Sequence, residues 1–252
     1  MSDAAYFEFL CRMGDNTLVL GHRVSEWCGV APALEEDIAL ANTALDLIGQ
    51  TQMWLGLAGE VEGAGRSADD LAMLRDVWDF RNALLVEQPN GDFGQTMMRQ
   101  FLFDAWHVAM LDALQQSSEP RVAEIAAKAA KEATYHVDRS GDTVIRLGDG
   151  TSESHRRMQA ALNLLWPYVG ELFVADDIDT AMTKAGIAPD LAALRAAFDA
   201  RVKDVMAQAT LTIPDDNFAH KGGKSGFRHS EHLGHMLTEM QWLQRAYPGA
   251  SW

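Results

Sequence analysis

The sequence predicts an all-α fold: a bundle of four long antiparallel helices, with further helices packed around it and an irregular arm near the end. Helix breakers are few, with 7 prolines and 20 glycines in 252 residues. The stretches between them are rich in Ala, Leu and Met, with apolar residues at helical spacing. Period-2 apolar alternation is confined to a short run at Thr210–Ile213. With 48% apolar residues the chain can bury a core as a single domain over 1–252, its core bundle over about 4–210 and its C-terminal arm and helix over about 211–252.

The first helix is expected from about Ala4 to Cys28, carried by Tyr6, Phe9, Leu10, Met13, Leu20 and Trp27 and stopped by Gly29 and Pro32. The second runs from Leu34 to Glu60, its apolar side formed by Ile38, Ala41, Leu45, Ile48, Trp54 and Leu55, and ends at Gly63-Ala64-Gly65. Helices over Asp69–Val86 and Phe93–Gln115 flank the turn signal Gln88-Pro89-Asn90-Gly91. Pro120 opens a long helix over Arg121–Leu147, closed by Gly148 and Gly150. Helices over Ser152–Phe173, Ile178–Ala185, Leu191–Ala207 and Ser230–Arg245 follow. The segment Pro214–His229, centred on Lys221-Gly222-Gly223-Lys224-Ser225-Gly226, reads as an irregular arm. Most of Trp27, Trp54, Trp78, Trp106, Trp166, Trp242 and Trp252 are expected in the core.

A formal net charge of −15 repels polyanions and argues against nucleic acid and anionic membrane as partners. Cys11 and Cys28 alone make no disulfide framework, which fits a reducing cytoplasm. The opening segment lacks the basic and apolar regions of a secretion signal, and no apolar run reaches the ~18 residues of a membrane span.

An acidic bundle of long helices raises the question of a two-metal site, which requires Glu-x-x-His on each of two helices and a carboxylate from each of two others. Among the histidines, only His107 follows a carboxylate, Asp104, at that spacing. The bland reading of this pair is a hydrogen bond inside the bundle. Glu132 and His136, at i and i+4, have the same two readings. His229, His232 and His235, with Glu239 one turn beyond, fan across about 120° if helical and do not easily converge on one ion; the alternative to a metal site is a helix using His and Glu to contact neighbouring segments.

The motifs Gly14-Asp15-Asn16, Ser25-Glu26-Trp27-Cys28-Gly29, Leu45-Asp46-Leu47-Ile48-Gly49-Gln50, Leu85-Val86-Glu87-Gln88-Pro89-Asn90-Gly91 and Asp104-Ala105-Trp106-His107 resemble the C-subunit family of bacterial ring-epoxidising phenylacetyl-CoA epoxidases. Arg146-Leu147-Gly148-Asp149-Gly150-Thr151, Gly222-Gly223-Lys224, Glu231-His232-Leu233-Gly234 and Glu239-Met240-Gln241 extend the resemblance to the C-terminal region. It implies a ferritin-like fold and a structural subunit, catalytically silent and without a cofactor of its own. Its partners would be a di-iron catalytic A subunit, other epoxidase components and a reductase. It further implies that Asp46 and Gly49 are remnants of one Glu-x-x-His motif of the catalytic paralogue, and Ala133 and His136 of the other.

Two local clusters are candidate contacts for phenylacetyl-CoA or a partner. Arg75, Trp78, Asp79, Phe80 and Arg81 offer cations for phosphate and rings for adenine, against the alternative of a solvated helix. Lys221, Lys224 and Arg228 lie on the glycine-rich arm, whose amides suit an anion. Ile178 and Asp179, in an acidic turn, are a helix start or an acceptor for ribose or adenine. The sequence leaves two other functions open: an autonomous di-iron or manganese oxidase built on Asp15, Asp46, Asp104, Glu132, His107 and His136, and an acidic scaffold unrelated to an oxygenase.

Overall fold

The computed structural model describes residues 3–215 and 218–250. Among these the chain is helical with no strand. Four long helices form the bundle: α1 (Asp3–Ser25), α2 (Leu34–Glu62), α5 (Phe93–Leu114) and α6 (Pro120–Gly148). The pairs α1/α2 and α5/α6 are helical hairpins, joined by a crossover that holds α3 (Ala68–Met73), a 3-10 turn at Val77–Asp79 and α4 (Leu84–Glu87). α7 (Ser152–Leu165), α8 (Asp177–Lys184), α9 (Leu191–Gln208) and α10 (Glu231–Ala246) pack around it. Trp252 lies outside the described residues.

Local chemistry sets the ends. Pro120 occupies the first turn of α6, where its missing N–H is no loss. Thr151 and Ser154 form a capping box for α7, and Asp176 and Asp179 form one for α8. Gly63 closes α2 in the left-handed region, with φ 68°. At Gly14 on α1 a Cβ would stand 2.5 Å from Leu55 Cδ2, so glycine permits the close approach of α1 and α2. The Thr17 and Thr51 hydroxyls bond across that contact at 2.8 Å.

Three expectations of helix bounds are corrected. α1 stops at Ser25, before Cys28, because Ser25 Oγ donates to the His22 carbonyl at 2.7 Å and the chain tightens into i→i−3 turns through Val30. The expected helix over Asp69–Val86 is three short pieces. Ser67/Asp70 and Asp76/Asp79 each form a capping box, so the segment restarts instead of continuing. α7 ends at Leu165, and two 3-10 turns follow around Pro167, which cannot donate to a continuing helix. Thr210–Ile213 is extended but unladdered: both backbone groups of Thr212 pair with the Gln159 amide at 2.8 Å.

Trp54, Trp106 and Trp166 are in the core, Trp27 is half-buried with its indole donating to Thr96 at 3.0 Å, and Trp78 and Trp242 are exposed. Both cysteines are free thiols, Cys11 buried and Cys28 exposed. Among the described residues no helix is long and apolar enough to cross a membrane.

Candidate functional site

A band of polar side chains crosses the interior of the bundle between α2, α5 and α6. Gln50 of α2 donates to Glu132 of α6 at 2.9 Å, and Asp46 meets His136 Nε2 at 3.0 Å. Asp104 of α5 is fully buried and accepts from Gln100 at 2.7 Å and from Ser140 of α6 at 2.8 Å. Burial pushes its carboxyl up to about 6. His107, one turn on, lies against the Phe103 and Trp106 rings. Burial holds its imidazole down at about 3, so it is neutral.

The two expected intrahelical pairs do not form. Asp104 is held by Gln100 and Ser140, while neither nitrogen of His107 bonds to a protein group among the described residues. Glu132 and His136 each reach across to α2 instead of to each other. The geometry also corrects the register of the expected remnants on α2. A Cβ at Gly49 would meet nothing within 4 Å, and the Asp46 side chain is 38% exposed. The position turned inward is Gln50, which is fully buried. Ala133 and His136 do face the interior from α6.

These residues do not make the donor set of a two-metal centre. On α6 the inward position three residues before His136 is Ala133, which has no donor atom, and α2 presents an amide at Gln50. Asp15 points away to the crossover, where it pairs with buried Arg75. Among the described residues no three His, Cys, Asp or Glu side chains come together in a way that could hold a metal ion. His229 precedes α10 and pairs with buried Glu87 at 2.5 Å, so the three C-terminal histidines do not share a helix face.

The candidate contact residues divide between interior and surface. Arg75 is buried, bonded to Asp15 and to the Asp79 carbonyl at 3.1 Å, with its guanidinium 4.5 Å from the centre of the Phe80 ring. Arg75 and Phe80 therefore belong to the fold, which corrects their reading as ligand contacts. Asp79 caps the 3-10 turn. Trp78 is exposed, and Arg81 lies beside the arm, near Gly226. Asp179 receives Lys224 at 2.5 Å and Arg12 at 3.3 Å, and neighbouring Ile178 packs against the core. The arm's amides already hold an anion of this chain: Gly222, Gly223 and Lys224 N–H donate to Glu171 Oε1 at 2.7, 2.7 and 3.3 Å. Lys221 and Arg228 remain exposed, on a cavity of about 460 Å³ shared with Val174, Phe218, His220 and Phe227. Sequence reasoning missed Glu171, a single acidic residue in an apolar stretch, 51 residues from the arm it holds.

A family model described as "Phenylacetic acid catabolic protein" matches residues 1–252. The chain is 51% identical over 244 residues to the C subunit of the 1,2-phenylacetyl-CoA epoxidase of Escherichia coli (strain K12), a match covering 97% of this chain and 98% of that protein.

Proposed function

The chain belongs to the phenylacetic acid catabolic protein family, and from that premise we propose that it is a catalytically silent structural subunit of an epoxidase acting on phenylacetyl-CoA. In this reading it pairs with a di-iron catalytic paralogue, supplied with electrons by a separate reductase, and has no metal of its own. The observation that carries the proposal is the stitching of α2 to α6 by partly buried side-chain hydrogen bonds. Gln50–Glu132 and Asp46–His136 use the polar side chains that face between these two helices on hydrogen bonds to one another, where a ferritin-like oxidase would need free carboxylates and histidines for metal. A bundle closed this way supports a rigid surface for a partner. The exposed cations Lys221 and Arg228, beside Phe218 and Phe227, are the surface we assign to the nucleotide end of the thioester, where phosphate and adenine need cations and rings.

Co-expression with the catalytic paralogue tests the reading. The two chains should co-elute on size exclusion and turn over phenylacetyl-CoA with the reductase and remaining components. This chain alone should stay folded, carry no stoichiometric iron after expression in iron-supplemented medium, and show no activity. Separate elution, or an iron-loaded active chain on its own, overturns it.

A further inference from the structure

The outward face of α2 carries apolar residues that no other described residue covers. Leu34, Ile38, Leu45 and Ile48 are 72%, 53%, 67% and 36% exposed, and with half-buried Ala41 they recur at alternating steps of four and three residues. That is the spacing of a seam between two packed helices, extending about 21 Å along α2. A contiguous apolar stripe of this length on a helix is unusual on a surface facing only water.

The glycines of α2 point the same way. Gly49 and Gly56 stand in the middle of the helix on the same outward side, about seven residues apart. Glycine there is unfavourable for the helix. A Cβ at either position would meet nothing within 4 Å, so no contact among the described residues accounts for them. A second helix approaching closely along the seam does.

Charge selects the occupant. α2 has six carboxylates, Glu35, Glu36, Asp37, Asp46, Glu60 and Glu62, and no lysine or arginine. Glu36, Glu60 and Glu62 are paired with Arg139, Arg121 and Arg66 of this chain and Asp46 with His136, which leaves Glu35 and Asp37 without a cation among the described residues, and two copies meeting along their α2 seams would bring together molecules that each carry a net charge of −15. A partner helix with an apolar stripe and basic flanks complements the seam instead.

We infer that the outward face of α2 is the docking face for the catalytic paralogue, received as a helix packed along Leu34–Gly56. The inference rests on the pairing proposed above and adds the face. Leu45→Glu buries a charge in the seam, and Gly49→Leu blocks close approach. Both sites are open to solvent in the free chain, so Leu45→Glu should keep the wild-type melting temperature, Gly49→Leu should keep or raise it, and each variant should lose co-elution, with a dissociation constant at least tenfold larger. As a second measurement, Leu45→Cys in a Cys28→Ser background should react with a maleimide at least tenfold more slowly in the complex than alone. If wild type co-elutes while both variants bind normally and the introduced thiol is labelled at one rate throughout, the face is wrong and the pairing stands. If wild type does not co-elute, the pairing itself fails and takes the face with it. A self-dimer of this chain that Leu45→Glu disperses overturns the choice of occupant.

Discussion

Asp104 and His107 sit one helical turn apart on α5, both fully buried, and burial moves their proton affinities in opposite directions. His107 at about 3 lies below its ordinary value of about 6.5, so the unfolded chain takes up a proton that the native chain refuses, and stability is lost as pH falls below about 6.5. Asp104 at about 6 lies above the ordinary carboxylate value. Its contribution is greatest at low pH and is lost as pH rises through 6, so it offsets the histidine between about pH 4 and 6. Replacing His107 by Gln removes one side of this balance. From pH 7 to pH 5 the stability of the variant relative to wild type should improve by about 2 kcal/mol, measured by urea unfolding at both pH values. A difference independent of pH would show that His107 is not held neutral. Neither shift was legible in the sequence: the i, i+3 spacing suggested a mutual hydrogen bond, whereas Asp104 is held by Gln100 and Ser140. Gly49 misled for a related reason. Spacing within a motif does not fix which way the helix is turned, and Gln50 is the inward residue.

Among the elements, the long helices were legible to within a few residues because their ends carry strong local signals, such as Pro120 and Gly63. The crossover between α2 and α5 was not, because its structure is imposed from elsewhere. The Arg81 N–H donates to Asp15 at 2.8 Å and the Ala83 N–H to Asn16 at 2.8 Å, so two polar residues of α1 hold the crossover's backbone. Glu171 extends the same logic to the arm. One carboxylate oxygen takes the Leu84 N–H at 2.8 Å and the other takes the three arm amides, joining crossover, 3-10 turn and arm at one buried group. Glu171→Gln keeps the size but turns an NH2 toward N–H donors, and a buried mismatch of this kind costs about 1–3 kcal/mol. The arm should loosen before the bundle does. Trypsin should then cut at Lys221 or Lys224 several times faster in the variant, with the helical circular dichroism signal unchanged. Equal cleavage rates would mean that the arm is held by other contacts.

For the whole molecule, the division into a core bundle and a C-terminal appendage describes the order of the chain better than its energetics. α10 buries Leu233, Met236 and Leu237, and Gln241 donates to the Ala72 and Arg75 carbonyls at 2.9 and 3.0 Å. The crossover is therefore sandwiched between α1 and the C-terminal helix. Glu87 depends on the same segment, since His229 and the N–H and hydroxyl of Ser230 all bond to its carboxylate. Removing residues 211–252 would delete the three apolar side chains and uncover the surface they bury against, a loss of about 5–9 kcal/mol at about 1.5–3 kcal/mol for each burial, and leave the Glu87 carboxylate with only Asn82 as partner. That loss approaches the whole stability of about 5–15 kcal/mol that domains possess. A chain ending at Thr210 should therefore retain helix but lose the sharp urea transition and bind a hydrophobic dye, whereas the full chain unfolds in one step seen alike by fluorescence and circular dichroism. A truncated chain with the wild-type midpoint would show that α10 rests on a bundle stable without it. The predicted collapse follows from where the hydrogen bonds run: the C-terminal segment completes the crossover, and the crossover joins the two hairpins of the bundle.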